Sequence, residues 1–361
     1  MKLVFALSVT CALLCSAANA SPASGYTLYY LDKSRNVCEI RLDSAGKPAG
    51  EPRRLTSLGG YDYYSVSPDG KWVVGLREIG GNEWVWKCFL ERPGLDPIGR
   101  IFGIVDSDGP PRVRWSGDGK YLFCWGGQID GTSRVYSLAA KKQIYESHYH
   151  FGPISYDGRY AFSLRDIPEE EAPARLRIID VQSGKWASAA KVLADERFEY
   201  PCLWIGRTHE FALTDAAGNV WVGSVKPGKL RHAVRKRALT TRGGCSDPQY
   251  IPGKGLFFVQ TLPGRDPVAY CSQDLKTLNK CPQMLSSEEN AGSGLEVWEV
   301  LPNVNGLWRW SARFSPDRRY IACLLDAGHN KMPEILVFDR QGRYHSVGQG
   351  KVLTWKGSDE T

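Results

Sequence analysis

Ser65-Val-Ser-Pro-Asp-Gly-Lys-Trp-Val-Val-Gly-Leu76 is the stretch that decides the fold. An alternating run meets a Pro-Asp-Gly turn, and a second apolar run follows at once. Proline presets φ at the first turn position, Asp caps the turn through its side chain, and Gly accepts the positive φ that follows. Trp72, Val73 and Val74 are residue types that favour strands. Taken alone, the stretch predicts a single hairpin.

The pattern returns as Trp115-Ser-Gly-Asp-Gly-Lys-Tyr-Leu-Phe-Cys124 and as Ile154-Ser-Tyr-Asp-Gly-Arg-Tyr-Ala-Phe162. A further copy is Phe314-Ser-Pro-Asp-Arg-Arg-Tyr-Ile-Ala-Cys323. Two worn copies lie between, Trp204-Ile-Gly-Arg-Thr-His-Glu-Phe-Ala-Leu213 and Tyr250-Ile-Pro-Gly-Lys-Gly-Leu-Phe-Phe-Val259. The turns stand roughly 40 to 60 residues apart, the spacing of a four-stranded propeller blade with loops of varying length. After each copy come further strand-like runs, such as Val85 to Leu90 and Arg175 to Asp180. No long stretch of helical periodicity follows residue 20. The expected class is all-β.

The two ends complete the repeat. Tyr26 to Leu31, Val37 to Leu42 and Arg53 to Thr56 read as three strands without a turn motif, and Lys351 to Gly357 as a lone innermost strand. Trp355 there occupies the position of Trp115 and Phe314. Joined, they form one blade whose first strand comes from the far end of the chain, which removes exposed sheet edges. The expectation is a seven-bladed β-propeller of four-stranded antiparallel blades. Its blades cover 25–56 with 351–361, 61–104, 111–150, 152–192, 200–241, 246–287 and 310–349. Absorbing one worn copy as an insertion would leave six.

The Ser-Pro-Asp-Gly-Lys/Arg turn followed by an aromatic and aliphatic strand resembles the TolB-type, WD-like propeller repeat, over nearly all of residues 21–361. That resemblance implies a periplasmic or secreted location. It says little of activity, because propellers serve as binding scaffolds, lyases and peptidase gating domains alike. No Gly-x-Ser-x-Gly elbow is present.

Residues 1–20 read as a cleaved secretory signal: Lys2 is followed by an apolar run from Leu3 to Leu14 and by Ala18-Asn19-Ala20 before the cut. Residues 21–361 then form one propeller domain in the periplasm or outside the cell, with no stable membrane insertion expected. The formal net charge of +7 falls to +6 without Lys2, too little to argue for nucleic acid. Of ten cysteines, Cys11 and Cys15 leave with the signal. Cys271 and Cys281 flank one hairpin and are the favoured disulfide, with Cys202 and Cys245 as a second pair. Cys124 and Cys323 share one strand position in different repeats and read as small buried hydrophobes. No Cys/His spacing points to zinc or to another cofactor.

In such blades the first strands line the channel and the Pro-Asp-Gly turns share one rim. The opposite rim gathers the longer loops, where binding groups on a rigid scaffold usually sit. An insertion from about 286 to 310 brings Trp298, Trp308, Arg309 and Trp310, residue types typical of binding anchors or of packing between blades 6 and 7. His329, Asp106 and Asp108 lie on the same rim, the two aspartates near Asp326 as cation ligands or solvated loop carboxylates. The favoured expectation is a non-catalytic module that grips a protein or cell-envelope partner at this rim and at the channel mouth. The alternative is a lyase or hydrolase acting on a carbohydrate or small molecule. It would use His148 or His150 as base and Arg313, with Arg114, for a substrate carboxylate. The basic run Lys229 to Arg237 reads as a protected outer edge, and Glu169 to Glu171 as a solvated loop tip.

Overall fold

The structure, a computed structural model, describes residues 25–79, 85–105, 111–125, 132–148, 151–165, 174–192, 202–226, 235–245, 248–251, 255–265, 268–281, 307–316, 319–328, 331–339 and 341–356. Residues 1–20, the expected signal, lie outside that set.

Blade 1 runs β1 (Tyr26–Leu31), β2 (Val37–Leu42) and β3 (Arg53–Arg54). Blade 2 holds β4 (Tyr63–Val66), β5 (Val73–Glu78), β6 (Val85–Glu91) and β7 (Gly99–Val105). Blade 3 holds β8 (Arg112–Trp115), β9 (Tyr121–Trp125), β10 (Ser133–Ser137) and β11 (Lys142–Ser147). Blade 4 holds β12 (Phe151–Ile154), β13 (Tyr160–Arg165), β14 (Ala174–Asp180) and β15 (Trp186–Val192). Blade 5 holds β16 (Cys202–Trp204), β17 (Glu210–Thr214), β18 (Val220–Ser224) and β19 (Arg235–Ala238). Blade 6 holds β20 (Gln249–Ile251), β21 (Gly255–Gln260), β22 (Val268–Ser272) and β23 (Asn279–Lys280). Blade 7 holds β24 (Leu307–Phe314), β25 (Tyr320–Leu325), β26 (Glu334–Asp339) and β27 (Tyr344–Gln349), and the last strand is β28 (Lys351–Trp355).

These make seven four-stranded sheets, antiparallel throughout, and β28 adds to β1 as the first strand of blade 1. Leu28 faces Trp355 and Leu31 faces Lys351 across that seam. The seven-bladed count is therefore the right one. The basic run ends in β19, the outermost strand of blade 5, as expected.

The core lies between blades rather than within them. Central strands are buried on both faces, as in Val73 to Leu76 of β5, because each blade is sandwiched by its neighbours. Leu28, Ile40 and Trp355 of blade 1 pack with Ala322 and Val337 of blade 7. Val74 and Cys88 of blade 2 pack with Leu122 and Cys124 of blade 3, and Phe162 of blade 4 packs with Trp204 and Phe211 of blade 5. Innermost strands touch across blades, β4 with β8, β12 with β16 and β24 with β28. These strands form the channel side of their blades.

Cys271 and Cys281 lie at disulfide distance across their hairpin, with Cα atoms 6.1 Å apart. The other expected pair is corrected. Cys202 belongs to the core between blades 4 and 5, and Cys245 packs against the core between blades 5 and 6. Blade 5 separates them. Cys124 and Cys323 are fully buried, and Cys124 Sγ lies 3.8 Å from Cys88 Sγ across the blade 2–3 core.

Candidate functional site

One rim is closed by short turns whose organiser is a serine. In blade 2 the Ser67 hydroxyl donates to Asp69 Oδ1 at 2.7 Å and accepts from the Trp72 amide at 2.9 Å. Asp69 Oδ1 also accepts from the Lys71 amide at 3.0 Å, and Gly70 turns the chain at φ 71°. Ser116 with Asp118 and Ser155 with Asp157 repeat the arrangement bond for bond. Burial pushes these carboxyls up, but the serine hydroxyl, the backbone amide and a neighbouring side chain (Lys71 at Asp69, Lys120 foremost at Asp118, His209 at Asp157) outweigh it and hold all three below the usual aspartate range. The serines are almost wholly buried. These are structural turns.

Neighbouring turns interlock. Tyr156 lies over Gly117 of the preceding blade, leaving no room for a Cβ there, and the Arg207 guanidinium stacks 4.8 Å from the Tyr156 ring. His209, in the worn turn of blade 5, places Nε2 2.9 Å from Asp157 Oδ2 and meets Tyr160 edge-on. Sequence reasoning missed His209; its signal was a histidine standing where other copies carry the lysine or arginine that follows the turn glycine.

The opposite rim receives the loops within blades and the connections between them. A further buried network lies under the connection from blade 1 to blade 2: Glu91, 1% exposed, accepts from the Ser57 amide at 2.7 Å and from the Tyr61 hydroxyl. Burial first, then that bond, pushes the Tyr61 phenol well up. Arg77 packs over the Tyr61 and Phe89 rings and donates to the Gly59 carbonyl. The network pins the connection from blade 1 into blade 2.

Of the residues singled out in the sequence, Trp298, His329, His150, Asp106 and Asp108 lie outside the described residues. Trp308, Arg309 and Trp310 belong to β24 and so to the channel edge, but their side chains also lie outside that set. His148 is exposed just beyond β11, the outermost strand of blade 3. Arg313 is half-buried on β24, the innermost strand of blade 7, with Nη1 donating to the Ala312 carbonyl at 2.9 Å. The fold thus puts His148 and Arg313 at opposite radial ends of different blades. Arg114 lies on β8, also at the channel. Among the described residues, no three His, Cys, Asp or Glu side chains group to hold a metal ion, and no helix is long and apolar enough to cross a membrane.

Three exposed side chains mark the loop-bearing end of adjacent inner strands. Arg112 faces Trp125, Lys351 faces Leu31 and Tyr63 faces Leu76, so all three sit where their blades meet the loop-bearing rim. Arg112, Lys351 and Tyr63 are exposed there. Tyr64, next along β4, donates to the Val352 carbonyl at 2.8 Å and ties blade 2 to β28.

No family model matches the chain, and no curated protein does. Solved structures do. A candidate 6-phosphogluconolactonase from Bacteroides uniformis is 13% identical, with 92% of this chain and 99% of that one covered and a TM-score of 0.42. TolB from Acinetobacter baumannii is 12% identical, covering 91% and 81%, at 0.33. Oligogalacturonate lyase from Vibrio parahaemolyticus is 12% identical, covering 90% and 85%, at 0.38. These likenesses concern fold alone.

Proposed function

We propose that this chain is an exported, TolB-like propeller that binds a protein or cell-envelope partner through its loop-bearing rim and channel mouth. The observation that carries the proposal is the contrast between the rims. One carries the serine–aspartate turns of blades 2, 3 and 4, while the other holds the exposed Arg112, Lys351 and Tyr63, and the longest stretch between strands runs from β23 at Lys280 to β24 at Leu307. Loops set on a rigid scaffold are the usual place for recognition. The export signal read in residues 1–20 and the Cys271–Cys281 pair suit an oxidising compartment.

The test uses the full chain, tagged and expressed with its own leader. It should recover from envelope extract a specific partner that is lost on deleting residues 288–306. Capture indifferent to that deletion removes the rim from consideration, and a chain that stays in the cytoplasm with residues 1–20 intact removes export.

A further inference from the structure

The seven innermost strands carry five Lys or Arg residues, Lys351, Arg112, Arg114, Arg309 and Arg313, and no Asp or Glu. The whole chain is nearly balanced, with 46 Lys and Arg against 39 Asp and Glu. Like charges gathered around a narrow channel repel one another, and low-dielectric walls concentrate their field. Outer strands are basic too, but there the reason is at hand. Those edges face open solvent, where cations prevent sheet-to-sheet association. The inner edges need no such protection, because each is enclosed by the other six.

Geometry narrows the ligand. Arg112 and Arg114 share a face of β8, with buried Val113 between them on the other. Two residues along a strand span about 7 Å, so the two cations stand at successive depths in the channel. An extended polypeptide with acidic residues at alternate positions repeats its carboxylates at that same spacing. Tyr63, 41% exposed on the blade between those of Lys351 and Arg112, adds a flat surface at the mouth.

We propose that the channel mouth takes an extended acidic segment of a protein partner, with Arg112 and Lys351 as entry contacts and Arg114 below them. The proposal rests on the binding-module reading and supplies the chemistry of its partner.

The experiment measures binding of fluorescent dodecapeptides to the full exported chain by anisotropy. One alternates Glu and Ser, one alternates Gln and Ser, and one has all its Glu in a single block. The alternating acidic peptide should bind, the Gln peptide should not, and the block peptide should be several-fold weaker. Arg112→Gln and Lys351→Gln should each weaken the first peptide roughly tenfold, the loss expected for one charge-assisted hydrogen bond. Arg112→Lys should retain most binding, and Lys142→Gln on the outer edge of blade 3 should change nothing. Both Gln positions are exposed, so unchanged thermal melts certify the fold.

Equal binding of alternating and block peptides, or indifference to both inner substitutions, overturns the proposal. So does displacement by inorganic phosphate alone at low millimolar concentration, which would make the channel a small-anion site. The two proposals fail separately. A partner captured from envelope extract whose binding ignores Arg112→Gln and Lys351→Gln sinks the acidic segment and leaves the binding module standing.

Discussion

At the scale of single residues, the turn that identifies the fold works through an atom easily overlooked in its sequence. Pro68, Asp69 and Gly70 announce a turn, but the Ser67 hydroxyl joins both sides of it. A serine before a turn looks the same in sequence whether it is solvated or buried, so its role was not legible. The aspartates were, and their environment has a pH consequence. Asp69, Asp118 and Asp157 all titrate below the ordinary carboxylate value when folded. A depressed folded pKa means that the unfolded chain binds protons first as pH falls. Their contribution is thus complete above about pH 5, shrinks through about pH 4 and is lost as pH drops below the folded values. Thermal midpoints should be flat from neutrality to about pH 5 and then fall. Asp118→Asn should lower the neutral-pH midpoint and flatten the acid decline, whereas an unaltered decline would show that these turns do not control acid stability.

At the scale of elements, the inner strands are joined across blades by their last residue. Trp355 ends β28 and its indole Nε1 donates to the Arg313 carbonyl of blade 7 at 2.7 Å. Trp204 ends β16 and donates to the Pro153 carbonyl of blade 4 at 2.9 Å. Each accepting carbonyl is one residue before the end of its own inner strand, so the same bond recurs at two seams of the ring. The equivalence of Trp355 with Trp115 and Phe314 was legible, because strand and turn recur in register. The bond was not, because it depends on the rotation between blades, which no local pattern encodes. Trp355→Phe keeps the ring and removes the donor, and should cost about 1–2 kcal/mol. Trp355→Ala also empties a fully buried site and should cost about 3–5 kcal/mol. Denaturant titration separates the two; a Trp355→Phe chain as stable as the parent would mean that the bond contributes nothing beyond packing.

At the scale of the whole molecule, what was legible in sequence is what repeats. Strand order, blade count and the joining of the two ends follow from a motif that returns at fixed positions. The candidate site was less legible, because its residues sit in connections that share no period, and loop length says nothing about where side chains meet. His148 and Arg313 show the difference: both looked chemically apt, yet the topology sends one to the outside of blade 3 and the other to the inside of blade 7. The excess of Lys and Arg over Asp and Glu on the inner strands appears only when the seven strand sequences are compared with one another. Closure by β28 is the feature on which that channel depends. Without it, β1 would offer an unpaired edge to the channel, blades 1 and 7 would lose the Leu28, Trp355 and Ala322 packing, and the ring would stay open. Deleting residues 351–361 should therefore do far more harm than the loss of a frayed terminus. The truncated chain should unfold at a markedly lower temperature, bind a hydrophobic dye and associate on size exclusion. A synthetic peptide of residues 351–361 added during refolding should restore a cooperative melt, and the same peptide with Leu353→Lys and Trp355→Lys should not. A truncated chain as stable and as monomeric as the parent would show that the seam is dispensable.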